Sequence, residues 1–157
     1  MKKKTRKIPK KELKKGVDYI GVTCVFFCHD GKGNLVMHKR SQNCRDERGN
    51  WDVGGGSLEF GESFEEGVKR EIKEEYSCDV LDLKFVEARN VLRKNHDNKK
   101  THWIALLFVA KVDPEQVKIG DPDAMDEIGW FSENNWPKPM HSYFDSCYDI
   151  IKYYISV

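Results

Sequence analysis

Three glutamates, Glu71, Glu74 and Glu75, have the types and spacing that could do chemistry. On an α-helix, residues three and four positions apart lie on the same side. Carboxylates at that spacing repel each other, so the group costs stability unless a cation is bound beside it. Hard divalent cations such as Mg²⁺ take carboxylate and carbonyl oxygens as ligands. Glu71 and Glu75 could therefore hold one ion, with Glu74 alongside and a carbonyl of the preceding glycine run completing the shell.

A divalent ion bound there would support a particular reaction. Such an ion neutralises a pyrophosphate and activates water for in-line attack on phosphorus. A glutamate that does not bind the ion could then act as the general base. The alternative is a solvated acidic helix face, which is the usual explanation for clustered glutamates. The three residues alone leave both interpretations open.

The residues around these carboxylates predict the helix that carries them. Ser63 and Glu66 form a capping box, with Ser63 as the N-cap, and the helix should run to about Tyr76. The helical period places four residues on a buried stripe: Phe64, Val68, Ile72 and Tyr76. The three glutamates fall at the edge of this stripe, which is the position of a cleft wall.

The rest of the chain predicts strands on both sides of this helix. β-branched and aromatic residues indicate strands at 19–28, 35–40, 80–92 and 102–112, with short strands at 51–53 and 127–131. We expect 102–112 to be central. A terminal helix should use Phe144, Cys147, Ile150, Ile151 and Tyr154 as its apolar positions. Interleaved strands and helices predict an α/β fold with a mixed β-sheet between helices.

Composition indicates one globular domain. The 157 residues are 39% hydrophobic and 34% charged, and they contain neither a membrane-length apolar run nor an amino-terminal apolar signal. The five cysteines show no C-x-x-C pair and no zinc spacing: Cys24, Cys28, Cys44, Cys78 and Cys147. We expect reduced thiols in a cytoplasmic protein.

The charge is unevenly distributed. Residues 1–15 carry a net charge of +8, and the remaining residues carry −7. A basic segment can contact nucleic acid or anionic lipid. No aromatic residue lies among these cations to stack on bases, so we expect a solubilising basic tail.

Seven residues around the glutamates match a known signature, G-x5-E-x7-R-E-U-x-E-E-x-G-U, in which U is a bulky aliphatic residue. The matching residues are Gly56, Glu62, Arg70, Glu71, Ile72, Glu74 and Glu75. The chain therefore resembles the Nudix hydrolase family. Ser77 and Cys78 depart from the pattern, where the family has a glycine and an aliphatic residue. The resemblance implies an α/β/α Nudix sandwich over residues 16–157, after the tail at 1–15.

The resemblance also implies an activity and its residues. Nudix hydrolases use Mg²⁺ or Mn²⁺ to cleave a nucleoside diphosphate linked to another moiety. By position, the metal ligands would be Glu71, Glu74, Glu75 and the carbonyl of Gly55, and one of the three glutamates would also be the general base. Gly56, Glu62 and Arg70 would be structural. Arg70 would hold the loop against the helix, since it lies away from the acidic face on the helical wheel.

Segments outside the signature bear on the substrate. Lys39–Arg40, Gly49–Val53, Thr101–Trp103 and Glu127–Phe131 resemble the subgroup that acts on (deoxy)nucleoside triphosphates, including oxidised purines. Arg40 would then contact phosphate and Trp130 would stack on the base. The alternatives are that Arg40 is a solvated cation and that Trp130 is a core residue.

Three functions remain open. The first is a nucleoside-triphosphate pyrophosphohydrolase that releases a monophosphate and pyrophosphate. The second is a Nudix enzyme acting on ADP-ribose, a nucleotide sugar or a dinucleoside polyphosphate, although Arg93 stands where ADP-ribose relatives have proline. The third is a silent domain that binds a nucleotide or RNA. We expect a monomer or homodimer, without membrane or nucleic-acid partners.

Overall fold

The computed structural model describes residues 12–155, in which one seven-stranded sheet lies between two helices. The strands are β1 (Gly21–His29), β2 (Asn34–Arg40), β3 (Trp51–Asp52), β4 (Gly54–Ser57), β5 (Val80–Lys94), β6 (Lys100–Val112) and β7 (Met125–Ser132). The helices are α1 (Phe64–Tyr76) and α2 (Phe144–Ile155). Most of the predicted basic tail lies outside the described residues. No helix within residues 12–155 is long and apolar enough to cross a membrane.

The sheet is mixed. Its strands run in the order β3-β2-β1-β6-β5, β4 pairs with β1, and β7 pairs with β2. β1 and β6 are parallel, in register from Gly21 opposite Trp103 to His29 opposite Lys111. Every other strand pair is antiparallel. We predicted that 102–112 would be central; β6 is instead an inner strand next to the edge strand β5, and β1 holds the middle of the order.

The two faces of the sheet support separate hydrophobic clusters. Alternate β1 residues Cys24, Phe26 and Cys28 pack with Val68, Ile72 and Tyr76 of α1. The intervening residues Val25 and Phe27 belong to the cluster around Phe144, Ile151 and Ile155 of α2. This alternation follows from the two-residue period of a strand. The predicted α/β/α sandwich is confirmed.

Helix α1 begins and ends close to where the sequence predicts. The Ser63 side chain accepts from the Glu66 N–H, and Glu66 accepts from the Ser63 N–H, so the capping box is confirmed. The buried stripe is confirmed except at Phe64, which is 49% exposed. Phe64 occupies the first turn of the helix, where its ring lies beside Phe85 of β5, and the buried position one turn later is Gly67.

The apolar face of α2 differs in part from its prediction. Phe144 and Ile151 are buried, but Tyr154 is 42% exposed. Ile155 is buried instead, which continues the four-residue spacing from Ile151. All five cysteines lie within the described residues and are free thiols.

Candidate active site

The glycine run at 54–56 forms strand β4 and is not a turn. It pairs with β1, with Gly55 opposite Val25. The Gly55 N–H points away from β1 and donates to Glu75 Oε2 at 3.2 Å. Because the N–H and C=O of one strand residue point the same way, the Gly55 carbonyl also faces the edge beside α1. Both polar groups of this peptide segment therefore face the carboxylates.

Glu71 and Glu75 are drawn into the protein by their place on α1. Burial raises the pKa of the Glu75 carboxyl well above its usual value, although the Gly55 hydrogen bond acts in the opposite direction. Burial likewise raises the pKa of Glu71, against the effect of Arg70. The Glu71 carboxylate lies so close to Gly56 that a Cβ there would collide with it. Two half-buried acids beside a strand edge without side chains form an electron-rich oxygen site that favours a cation.

Arg70 is in contact with three carboxylates, although the helical wheel places it away from them. Its guanidinium binds Glu62 at 2.5 and 3.0 Å, Glu71 at 2.9 Å and Glu74 at 3.3 Å. It also donates to the carbonyl of Ser57 at 3.1 Å. The wheel argument was wrong because Glu74 lies four positions after Arg70, on the same side of the helix, and Glu71 is the next residue. The bracing contact with Glu62 is present, so Arg70 joins the loop after β4 to the helix.

Glu62 is held in its charged form by this arrangement. Hydrogen bonds from the Arg70 guanidinium and from the backbone N–H of Glu59 lower the pKa of Glu62 to about 2. The Arg70 pKa is raised by the same contacts. The Glu62–Arg70 pair therefore stays ionised over the whole range in which the protein would work.

The three predicted metal-binding glutamates differ in their surroundings. Glu75 and Gly55 line a cavity, whereas the Glu74 side chain is 58% exposed. Across residues 12–155, no three acidic, histidine or cysteine side chains are gathered closely enough to hold a metal ion. In this structure Arg70 holds Glu71 and Glu74, and Glu75 binds Gly55.

The cavity has a volume of about 340 Å³ and lies on the face of the sheet that carries α2. Its floor consists of alternate residues of β1, β6 and β5, and its wall includes β4 and the segment at 141–147. Its lining contains four arginines and two half-buried aromatic residues: Arg40, Arg45, Arg89, Arg93, Trp103 and Tyr143. A cavity with oxygen ligands at one wall and several guanidinium groups suits an anionic, partly aromatic ligand.

Arg40 lines the cavity but is already partnered. Its guanidinium binds Asp46 at 2.9 Å and Asp52 at 3.4 Å, and its Nε donates to the Asp46 carbonyl at 3.1 Å. Asp52 is buried, which raises its pKa despite Arg40 and the nearby His141. A phosphate would have to share Arg40 with two carboxylates.

Trp130 is not among the cavity-lining residues of the described chain. It lies on β7 opposite Val36 and packs against the cluster beneath α1. Glu127, on the same strand, is bound to Lys39 at 2.9 Å. The structure therefore favours the core interpretation of Trp130.

Several cavity residues were not predicted from the sequence. Arg89, Val91 and Arg93 alternate along β5, so their two-residue period could have placed them on one face. His141 and Tyr143 gave no such signal, because only the folding of the chain brings that segment next to the loop at 41–50. Ser142 Oγ donates to Glu47 at 2.6 Å across 95 positions of sequence.

A family model described as the NUDIX domain matches residues 19–147. The chain belongs to the Nudix family. The resemblance based on the glutamate signature is thereby confirmed, and the matched region includes every predicted site residue of this Nudix chain.

Individual relatives carry related names. The Nudix chain is 33% identical to an ADP-ribose pyrophosphatase of Methanocaldococcus jannaschii, over 83% of this chain and 74% of that protein. It is 27% identical to the mouse 8-oxo-dGDP phosphatase NUDT18, over 83% of this chain but only 37% of that protein. It thus spans little more than a third of the mouse relative.

A solved structure shows the same fold. The crystal structure of a MutT NUDIX hydrolase from Burkholderia pseudomallei superposes with a TM-score of 0.72 at 22% identity. The match covers 84% of this chain and 98% of that one.

Proposed function

We propose that this Nudix domain is a divalent-metal-dependent hydrolase of compounds in which a nucleoside diphosphate is linked to another moiety. The observation that carries the proposal is the position of Glu75, half-buried at the wall of the cavity and hydrogen-bonded to Gly55. The same cavity is also lined by four arginines, so its carboxylate suits a cation and its guanidinium groups suit phosphate.

The residues present fit a divalent ion. Glu71, Glu74, Glu75 and the Gly55 carbonyl would hold it, as an all-oxygen set of the kind that Mg²⁺ or Mn²⁺ prefers. The raised pKa values of Glu71 and Glu75 result chiefly from the burial of the carboxyls, and the neighbouring acids raise them further. Arg70 would have to share Glu71 and Glu74 with the ion.

The bound ion would supply charge neutralisation and Lewis-acid activation of water. The chain's own residues would do the rest. The cavity arginines bind and orient the phosphates, and one of the three glutamates accepts the proton of the attacking water. Water oxygen bonds to phosphorus, the bridging P–O bond breaks, and the second phosphate departs with the bond electrons. Glu75 is the glutamate of the three that lines the cavity.

The first candidate substrate is a (deoxy)nucleoside triphosphate, unmodified or oxidised, which would be cleaved to a monophosphate and pyrophosphate. The segments around Arg40 and Trp103 support it. The name of the mouse relative, an 8-oxo-dGDP phosphatase, supports an oxidised purine nucleotide but names a diphosphate. The second candidate is ADP-ribose. It is favoured by the archaeal relative, which is 33% identical.

We also propose the remaining features on more general grounds. Residues 16–157 would form the catalytic unit, and residues 1–15 a basic tail. Five free thiols support a reducing compartment such as the cytoplasm. The protein would act as a monomer or homodimer.

A substrate panel with Mg²⁺, in which nucleoside monophosphates and pyrophosphate are separated and quantified, tests the proposal. It should compare dNTPs, 8-oxo-dGTP, ADP-ribose, NADH, a nucleotide sugar and capped RNA. We expect hydrolysis of the triphosphates first and ADP-ribose second, with loss of activity in EDTA. A Glu75→Gln variant should lose this hydrolysis. Glu65→Gln is its matched control for charge, because Glu65 also lies on α1 but is exposed and pairs with Lys69. Hydrolysis of no compound, or metal-independent hydrolysis, would contradict the proposal.

A further inference from the structure

We propose that Trp103 is the surface on which the nucleobase of the substrate stacks, with Arg45 as the outer cover of that base. The inference rests on the proposed function and names a part of its substrate site. Trp103 lines the same cavity as Gly55, Gly56 and Glu75. A nucleotide bound with its phosphates at the glutamates would therefore have its base within the cavity that Trp103 borders.

The indole is fixed by two glycines. Gly21 lies directly opposite Trp103 in the parallel pair of β1 and β6. A Cβ at Gly21 or at Gly16 would collide with atoms of the indole ring, so the ring lies against bare backbone at both. The His102 N–H also donates to the Gly16 carbonyl at 2.8 Å. This packing leaves the ring little freedom and makes it a rigid flat surface.

Arg45 marks the accessible side of this surface. Its guanidinium lies over the indole, 5.6 Å from the ring centroid. Arg45 is exposed and belongs to the loop at 41–50, so its side chain has room to move outward. A nucleobase is a flat π-system that stacks on aromatic rings and beneath guanidinium groups. We infer that the base enters between Trp103 and Arg45.

The neighbouring residues leave space for a base. Ala105 follows Trp103 on the same face of β6, and Val91 lies opposite Trp103 on β5. Both are small, apolar side chains. The cavity of about 340 Å³ is within the size range of small-molecule sites. Trp130 is packed against the cluster beneath α1, so it offers no comparable surface.

Calorimetric binding to the full chain tests the inference, with AMP and dGMP as ligands and 2-deoxyribose 5-phosphate as the base-free probe. For Trp103→Leu we expect nucleotide affinity to fall by about 10- to 100-fold, the range found when a stacking aromatic is lost. Affinity for the base-free probe should not change. Trp103→Phe should retain most of the nucleotide affinity, and Arg45→Gln should lower it by a smaller factor.

Trp136→Leu is the matched control, because it removes another half-buried indole that packs on Phe144 and Tyr148. It should leave nucleotide affinity near that of the wild type. Equal losses for nucleotides and the base-free probe in Trp103→Leu would mean that Trp103 only holds the fold, and would overturn the inference. Unchanged nucleotide affinity in Trp103→Leu, or no nucleotide binding by the wild type, would also overturn it.

The two proposals fail differently. If the panel compounds are hydrolysed but Trp103→Leu binds nucleotides normally, the base site is wrong and the hydrolase stands. If Trp103→Leu selectively loses nucleotide affinity but the wild type hydrolyses nothing, the hydrolase is wrong and the base site stands.

Discussion

At the scale of single residues, positive charge is scarce where acids are most buried. Arg70 compensates Glu62, Glu71 and Glu74, but Glu75 has the backbone N–H of Gly55 as its hydrogen-bond donor. One neutral N–H compensates a buried carboxylate poorly. Glu75 therefore destabilises the metal-free protein, and a divalent ion would relieve that cost.

Glu75→Gln should accordingly separate stability from activity. In EDTA we expect the variant to unfold at a higher temperature than the wild type, because it removes a buried charge whose pKa is strongly raised. Its kcat should fall by on the order of 10³-fold, comparable to the loss of a main electrostatic group. Thermal unfolding with and without Mg²⁺, together with kcat, measures both effects. Retained activity would remove Glu75 from the proposed site.

Gly56→Ala should damage the site through the Glu71 carboxylate. A methyl group at residue 56 would collide with that carboxylate, which would have to move. We expect a large fall in kcat with a smaller change in melting temperature.

Gly33→Ala supplies the control for that variant. Within the described chain no heavy atom lies within 4 Å of the methyl it would add, although its φ of +89° makes the substitution strained. It should lower the melting temperature and leave kcat unchanged. If both variants lose activity equally, the contact between Gly56 and Glu71 is unimportant.

At the scale of elements, α1 carries the signature and also a small defect. Ser77, the residue that caps its C-terminus, adopts φ 56° and ψ 19°, the left-handed conformation, where the signature has glycine. A residue with a Cβ is disfavoured in this conformation by about 1–2 kcal/mol. The departure noted in the sequence thus lies at the helix end, away from the carboxylates.

Ser77→Gly should therefore stabilise the protein by about 1 kcal/mol, because the Cβ penalty disappears. The greater conformational freedom of glycine in the unfolded chain offsets part of this gain. The hydrogen bond from the residue 77 N–H to Lys73 is retained. Urea denaturation measures the change. Ser77→Ala is the control, since it keeps the Cβ and should give no gain, and kcat should be the same in all three proteins.

The elements show why sequence reasoning succeeded in some places and failed in others. Helix α1 was predictable because capping, period and signature agreed over one continuous segment. Strand β4 was not, because three glycines have no side chains to show a strand period, and its pairing with β1 is remote in sequence. The sequence left Trp130 between stacking and core for a similar reason: an aromatic in a strand looks the same whether it faces a cavity or a core.

At the scale of the whole molecule, the interior contains an imidazole that resists protonation. His38 is 4% exposed, and its Nδ1 lies 3.0 Å from the hydroxyl of Tyr76. Burial, and to a smaller extent Arg40, lowers the His38 pKa to about 4. An unfolded histidine has a pKa near 6.5. Below that pH, the unfolded chain binds a proton that the folded chain refuses, so stability is lost as the pH falls from about 6.5 to 4.

His38→Gln should remove this contribution while leaving a polar group to meet Tyr76. Between pH 7 and pH 4, the unfolding free energy of the wild type should fall by about 3 kcal/mol more than that of the variant. Urea denaturation in EDTA at several pH values gives the difference directly. Comparing the two proteins cancels the buried carboxylates, whose raised pKa values act in the opposite direction. Parallel pH curves would show that His38 does not titrate as described.

The alternation along β1 has a consequence for how this protein can diversify. Even-numbered residues 24, 26 and 28 belong to the cluster beneath α1, and odd-numbered residues 23, 25 and 27 line the cavity. The same strand is thus a wall of the core on one side and a floor for the ligand on the other. Substitution of Thr23 can reshape ligand preference while both clusters keep their packing, whereas Phe27 also belongs to the cluster around α2 and is constrained by it. An inserted residue would exchange the two sides and abolish both at once.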